Sequence, residues 1–101
     1  MTLTEKDNGS TIQVHIGDIV FITLAWKPST GYFWQESDTT AGTIEEIKHE
    51  GGNMTPGATV YVRFKFKITG AGVLRLSYAR PWSETQPPAN LFEVSVNLLY
   101  N

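Results

Sequence analysis

The chain has 101 residues, no cysteine and a formal net charge of −2 at pH 7. This length suits one ordinary domain, and the lack of cysteine excludes disulfides, thiolate nucleophiles and cysteine-ligated zinc sites. Only 18% of the residues are charged, which argues against a disordered tail and against an electrostatic nucleic-acid binder.

Apolar residues that alternate with polar ones predict short strands along the chain. In chain order the expected inward-facing sets are Ile12, Val14 and Ile16; Val20, Ile22 and Leu24; Val60, Val62, Phe64, Phe66 and Ile68; Leu74, Leu76 and Tyr78; and Phe92, Val94, Val96 and Leu98. Another strand is expected to begin near 32–34. A weaker strand covers 43–48, where residues 44–47 also fit a single helical turn.

Glycine and proline mark turns between these strands, at 17–18, 51–53, 56–57 and 70–72. The pattern predicts an all-β fold, an immunoglobulin-like β-sandwich of about seven antiparallel strands, over a single domain 1–101. A small β-barrel is the second choice. Trp34 fits the buried tryptophan that such sandwiches often carry on their third strand, here without a cysteine pair beside it.

Residues 26–34 read Trp-Lys-Pro-Ser-Thr-Gly-Tyr-Phe-Trp and carry more information than an average turn. Pro28 fixes its own φ near about −65° and biases Lys27 away from helix. Gly31 permits a positive φ. We expect a stiff, narrow loop tipped by two small hydroxyl residues, and the alternative is an ordinary turn between strands.

Residues 78–90 form a long connection that contains three prolines and places Arg80 and Trp82 next to the end of a strand. Arginine and tryptophan are frequent interface anchors, and a proline-rich loop loses little conformational entropy when it binds. The alternative is that Trp82 folds back onto the core and Arg80 pairs with a surface carboxylate.

Two segments together resemble the chagasin-type inhibitors of papain-like cysteine peptidases: residues 27–34, Lys-Pro-Ser-Thr-Gly-Tyr-Phe-Trp, and residues 78–82, Tyr-Ala-Arg-Pro-Trp. In that family the first loop is typically Asn-Pro-Thr-Thr-Gly-Tyr-x-Trp and the last is Arg-Pro-Trp or Arg-Pro-Phe, with a Gly-x-Gly-Gly loop between them. Here Lys27 replaces the asparagine, Ser29 replaces the first threonine, and 51–57 contains no Gly-x-Gly-Gly.

The resemblance implies an immunoglobulin-like inhibitor, not an enzyme, that needs no cofactor or metal. Three loops at one end of the sandwich, 27–33, about 50–58 and 80–88, would block the peptidase cleft reversibly. The implied contact residues are Lys27, Pro28, Ser29, Thr30, Gly31, Tyr32, Gly51, Gly52, Asn53, Met54, Thr55, Arg80, Pro81 and Trp82. By the same resemblance Ser29 and Thr30 would sit against the catalytic pair, and the partner would be a papain-like, cathepsin L-like enzyme. The sequence shows no spare apolar face that would indicate more than a monomer.

The lysine at position 27 leaves two alternatives open. In the family the asparagine is expected to support the loop by hydrogen-bonding the backbone, and a lysine side chain cannot accept a hydrogen bond. Either the loop is held in another way or is somewhat looser, or the charge of Lys27 meets an acidic rim on the peptidase.

Other functions are weaker readings of the same residues. No serine lies in a nucleophile elbow, and His15, expected to point out from its strand, and His49, expected in a turn, lie in no catalytic or metal motif. Residues 13–17 share part of the cystatin Gln-x-Val-x-Gly pattern but carry His15 at its centre. The main rival is an immunoglobulin-like carbohydrate- or protein-binding module in which Trp82 stacks on a sugar.

The chain shows no sign of nucleic-acid or membrane binding. Arg63, Lys65 and Lys67 are best interpreted as the solvated face of one strand on a net acidic chain. No apolar run approaches the roughly 20 residues of a membrane span, and residues 1–7 lack a signal peptide's apolar region. We therefore expect a soluble protein, cytoplasmic or endolysosomal or phagosomal, whose fold needs no disulfide in a reducing compartment.

Overall fold

The computed structural model describes residues 1–27, 30–51, 60–80 and 87–100. Within these residues the chain forms eight strands and, at Glu5–Asp7, a short 3₁₀-helix. The strands are β1 (Thr2–Leu3), β2 (Thr11–Val14), β3 (Ile19–Trp26), β4 (Phe33–Glu36), β5 (Gly42–Gly51), β6 (Val60–Ile68), β7 (Gly72–Ala79) and β8 (Asn90–Leu98). The described residues contain no helix that is long and apolar enough to cross a membrane.

The strands form two four-stranded sheets, in the orders β1-β3-β6-β5 and β2-β8-β7-β4. The two separate sheets confirm the sandwich and exclude the closed barrel. This is the immunoglobulin arrangement with its N-terminal segment divided between the sheets. The pairs β1–β3 and β2–β8 are parallel, unlike the fully antiparallel expectation. These two edge strands join their sheets without a hairpin to the neighbouring strand, so nothing enforces an antiparallel direction.

The core lies between the inward faces of the two sheets, and it confirms the alternation seen in the sequence. Val20, Ile22, Leu24, Phe66 and Leu74 are fully buried. Burial of each such side chain stabilises the fold by about 1.5–3 kcal/mol relative to exposure.

The alternation fails at Ile16, and the register of β2 gives the reason. This strand ends at Val14. Ile16 therefore lies beyond the sheet edge, where it is 65% exposed. The expectation that Ile16 faces the core was wrong.

Strand β5 is ten residues long, longer than the expected 43–48, and it forms the edge of its sheet. Its pairing with β6 shifts by one residue between Ile44 and Glu46, which is a β-bulge. As a result Ile44 and Ile47 pair with Phe66 and Phe64, so two residues three apart lie opposite core positions. A bulge therefore produced the spacing that resembled a helical turn.

The 3₁₀-helix protects the edge of β3 beyond the short strand β1. The Glu5 carboxylate accepts a hydrogen bond of 2.6 Å from the backbone N–H of Ala25, two residues before the first predicted loop. An unpaired edge amide is a site for unwanted strand addition, and an acidic side chain that occupies it closes this route.

The register brings the ends of five strands to one end of the sandwich. In one sheet Trp26, the last residue of β3, and Gly51, the last residue of β5, both pair with Val60, the first residue of β6. In the other sheet Phe33 begins β4 opposite Ala79, the last residue of β7.

Three connections leave the sandwich at this end. The segment 27–32 joins the two sheets there, 52–59 joins β5 to β6, and 80–89 leads from β7 to β8. The strand register therefore places the described residues that flank all three candidate loops at the same end. We call these the first, second and third loops.

Candidate functional site

The first loop is closed on itself at its base. The carbonyl oxygen of Lys27 accepts two hydrogen bonds from Thr30, one from the hydroxyl at 2.7 Å and one from the backbone N–H at 3.1 Å. The same hydroxyl oxygen accepts a bond from the N–H of Tyr32 at 3.3 Å. Gly31 has φ 78°, the positive value that the sequence predicted. Thr30 is thus the residue that closes the turn.

Two tryptophans fix the strands on either side of this loop. The indole N–H of Trp26 donates to the carbonyl of Tyr32 at 2.7 Å, and the indole N–H of Trp34 donates to the carbonyl of Ala25 at 3.0 Å. A partly buried tryptophan needs a partner for its one polar group, and here each partner is a backbone atom at the loop's base. Trp34 packs against the core as expected but is only partly buried.

Lys27 supports the loop through its main chain. Its carbonyl is the acceptor described above, and its N–H donates to the hydroxyl of Tyr78 at 3.3 Å. No accepting side chain is required at position 27 for these bonds, which favours the first of the two alternatives raised by the lysine. The side chain of Lys27 is exposed. Its use against an acidic rim stays a prediction.

Arg80 connects the third loop to the first. Its Nε and Nη2 donate to the carbonyl oxygen of Thr30 at 3.4 and 3.3 Å. Its guanidinium carbon lies 4.6 Å from the centre of the Tyr32 ring. Arg80 therefore contacts the first loop, and among the described residues no carboxylate forms an ion pair with it.

Aromatic rings fill the space beneath the loops. The Tyr78 ring contacts Tyr32 at 5.4 Å and Trp34 at 4.9 Å between centroids. The Trp26 ring contacts Phe33 at 5.3 Å and His49 at 4.8 Å. Ring pairs at such distances are favourable beyond the area that they bury. Each loop thus has a strand end in this cluster.

His49 corrects one expectation and adds a residue to the site. The sequence analysis placed it in a turn, but it lies in β5 with its ring against Trp26. It belongs to the base of the second loop, two residues before the strand ends at Gly51. His15 follows β2 as a surface residue near Asp18, with 3.7 Å between the imidazole Nδ1 and the carboxylate.

The described residues include part of the predicted contact set. Lys27, Thr30, Gly31, Tyr32 and Arg80 lie together at one end, and Gly51 ends β5 at the same end. The other predicted contacts lie outside the described residues: Pro28, Ser29, Gly52, Asn53, Met54, Thr55, Pro81 and Trp82.

The sequence analysis did not single out Trp26, His49 or Tyr78 as site residues. Tyr78 was treated as an inward strand residue and Trp26 only as a flank of the loop. Their place at the end of a strand, next to a candidate loop, was the available signal.

Comparison with known proteins agrees with this geometry. The family model described as "Chagasin family peptidase inhibitor I42" matches residues 13–96 of the chain. The chain belongs to the chagasin family. This family member is a cysteine peptidase inhibitor and not an enzyme. It is similar to amoebiasin-1 of Entamoeba histolytica, with 33% identity over 104 residues, 97% of this chain and 99% of the relative.

Solved structures show the same fold for this chagasin-family chain. The cysteine protease inhibitor EhICP2 of Entamoeba histolytica superposes with a TM-score of 0.81 and 26% identity, over 97% of this chain and 94% of that one. PbICP-C, solved in complex with falcipain-2, superposes with a TM-score of 0.62 and 19% identity, over 98% of this chain and 90% of that one. The fold is therefore the immunoglobulin-like fold of chagasin-type inhibitors.

Proposed function

We propose that this chagasin-family chain inhibits papain-like cysteine peptidases by inserting its first loop into the active-site cleft, with the second and third loops on either wall. The observation that carries the proposal is the contact of Arg80 with Thr30 and Tyr32, which joins the first and third loops into one surface. The second loop leaves the same end of the sandwich, beside the Trp26–His49 ring pair.

The shape of the first loop suits a narrow cleft. A papain-like site is a groove with a thiolate and a histidine at its narrowest point, and only a thin loop with small side chains reaches that depth. The loop closes where Thr30 donates to the Lys27 carbonyl, and Gly31 follows this closure with a positive φ. Bonds at both of its ends hold it in the free protein, so docking costs little ordering entropy.

Inhibition of this kind is steric and reversible. The backbone of the first loop is tied to Tyr78, Trp26 and Arg80, and a loop held in this way occupies the cleft without presenting a carbonyl for attack by the thiolate. No acyl-enzyme forms, and the inhibitor leaves the complex unchanged.

The partner class is part of the proposal. Falcipain-2, the enzyme in the PbICP-C complex, is a papain-like cysteine peptidase, and the shared fold supports the same class for this chain. We propose that the three loops implied by the sequence form the contact surface, and that a single copy of the one domain, 1–101, binds the peptidase. A cytoplasmic or endolysosomal location stays a prediction.

The test is a titration of papain and of a cathepsin L-like enzyme with the protein, read with a fluorogenic peptide substrate. We expect stoichiometric inhibition at nanomolar concentrations. Absence of inhibition at micromolar protein would refute the proposal.

A pair of variants then locates the binding surface. Trp82→Ala should cost about 2 kcal/mol or more, the loss typical of a buried interface anchor. Tyr100→Ala is the matched control, because Tyr100 is an aromatic residue, 85% exposed, two residues after β8 ends at the opposite end of the sandwich. Equal inhibition by both variants would contradict the placement of the site.

A further inference from the structure

Arg80 makes contacts that point inward to the inhibitor rather than outward to a partner. Two of its N–H groups converge on the single carbonyl oxygen of Thr30, and its guanidinium lies over the ring of Tyr32. A planar fork that donates hydrogen bonds and also stacks on an aromatic face is specific to arginine, since lysine has a compact ammonium in its place.

We propose that Arg80 is a positioning residue, which fixes the conformation of the first loop in the free inhibitor before any peptidase is met. This reassigns Arg80, which the sequence alone placed among the peptidase contacts. The consequence for inhibition rests on the proposed function, but the positioning itself is a property of the free protein.

The backbone of the first loop shows why such a residue is needed. The carbonyl of Thr30 belongs to the peptide unit that joins it to Gly31, and that unit moves as one plane. Glycine adopts positive and negative φ with similar ease, so Gly31 alone does not fix the direction of this plane. Two N–H groups from Arg80 hold the carbonyl in the direction that accompanies φ 78°.

The same plane is coupled to the rest of the turn. Thr30 also donates its N–H and its hydroxyl to the Lys27 carbonyl, so a change at its own carbonyl is transmitted to both of these bonds. Arg80 therefore acts on the residue that closes the loop. It is 50 positions away in sequence, so the third loop determines the shape of the first.

The strand register delivers Arg80 to this position. Ala79, the last residue of β7, pairs with Phe33, so the residue that follows the strand emerges beside Tyr32, which precedes Phe33. The ring of Tyr32 also stacks on Tyr78, which lies in β7 two residues before Arg80. One strand end thus supplies both the arginine and the tyrosine that hold the Tyr32 ring.

The experiment measures amide hydrogen exchange in the free protein, with no peptidase present. In Arg80→Ala we expect exchange at the Thr30 and Tyr32 amides to become about tenfold faster, the factor that corresponds to about 1.4 kcal/mol. Arg80→Lys should show a smaller increase because it keeps the charge but loses the fork. Unchanged exchange in Arg80→Ala would overturn the proposal.

Arg63→Ala is the matched control. Arg63 also lies over an aromatic ring, that of Phe21 at 4.9 Å, but it projects from the outer face of β6. We expect this variant to leave exchange in the first loop unchanged. If exchange in the first loop becomes equally faster in Arg63→Ala and Arg80→Ala, a general loss of stability explains the effect, and the proposal is wrong.

Inhibition constants separate this proposal from the proposed function. If Arg80→Ala weakens inhibition and accelerates exchange in the first loop, both stand. A weaker inhibition with unaltered exchange makes Arg80 a direct peptidase contact and overturns the positioning role. If the wild-type protein inhibits no papain-like enzyme, the proposed function fails, while the exchange data still decide whether Arg80 positions the loop.

Discussion

Tyr78→Phe removes one hydroxyl group and keeps the ring that packs on Tyr32 and Trp34. The lost group is the acceptor for the N–H of Lys27 at 3.3 Å, a long bond at a partly exposed site. A neutral hydrogen bond contributes about 0.5–1.5 kcal/mol, and this length favours the lower half of that range. Because 1.4 kcal/mol is a factor of ten, we expect the inhibition constant to rise by about two- to fivefold.

The fivefold rise in the inhibition constant is an upper limit, for a physical reason. The full free energy reaches the inhibition constant only if the first loop leaves its bound conformation in the free variant, because affinity falls with the fraction of competent molecules. The assay is the titration of papain with a fluorogenic peptide, with thermal unfolding and exchange of the Lys27 amide measured in parallel. Tyr100→Phe serves as the control at the other end of the sandwich.

Two outcomes would refute this reasoning about Tyr78. Unchanged inhibition together with unchanged exchange at the Lys27 amide would mean that the hydroxyl does not hold the first loop. A large drop in unfolding temperature with proportionate loss of inhibition would mean that the hydroxyl supports the whole fold and not the loop.

Three further substitutions test separate parts of the account. Gly31→Ala places a side chain at φ 78°, which costs an L-residue about 1–2 kcal/mol if the loop keeps that conformation. We expect the loop to move to a negative φ instead, so inhibition should weaken while thermal unfolding changes little. Thr30→Val keeps the shape but removes the donor to the Lys27 carbonyl, and we expect a several-fold higher inhibition constant with faster exchange of its own amide. Gly72→Ala, at φ 149° and with an added Cβ that would clash with the Thr40 hydroxyl, should lower the unfolding temperature and leave inhibition at 25 °C unaltered. A Gly72→Ala protein as stable as wild type would contradict that geometry.

The sandwich was predictable because its core strands obey a strict period of two. Strand β6 alternates without interruption, and its inward residues Val62, Phe64, Phe66 and Ile68 are all buried. The pattern was less informative where local geometry breaks the period. The bulge after Ile44 hid the length of β5, and the end of β2 at Val14 left Ile16 outside the core.

The position of the loops was predictable from their motifs, but their internal contacts were not. The bond from Arg80 to the Thr30 carbonyl joins residues 50 positions apart, and that from Lys27 to Tyr78 spans 51. Such contacts depend on which strands pair and in what register, and the local sequence predicts neither the pairing nor the register. The register of β4 on β7 places Arg80 beside the first loop, and the packing of one sheet on the other brings Lys27 to Tyr78.

The structure therefore assigns the third loop a different role from the one that the sequence predicted. From the sequence, Arg80 and Trp82 were two anchors of one kind, side by side on a proline-rich segment. In the structure Arg80 is used within the inhibitor, on Thr30 and Tyr32. Neighbouring residues in one motif can thus have different tasks, one shaping the surface and the other expected to contact the partner.

The most direct test of the central claim is protection of the peptidase's catalytic thiol. Papain is saturated with the inhibitor and then treated with iodoacetamide, and the alkylation rate and the intact mass of both proteins are measured. We predict that alkylation slows in proportion to the bound fraction and that the inhibitor is recovered uncleaved, because the first loop covers the thiolate without reacting. Alkylation of the saturated complex at the rate of the free enzyme would contradict the account, since the loops would then bind outside the active-site cleft.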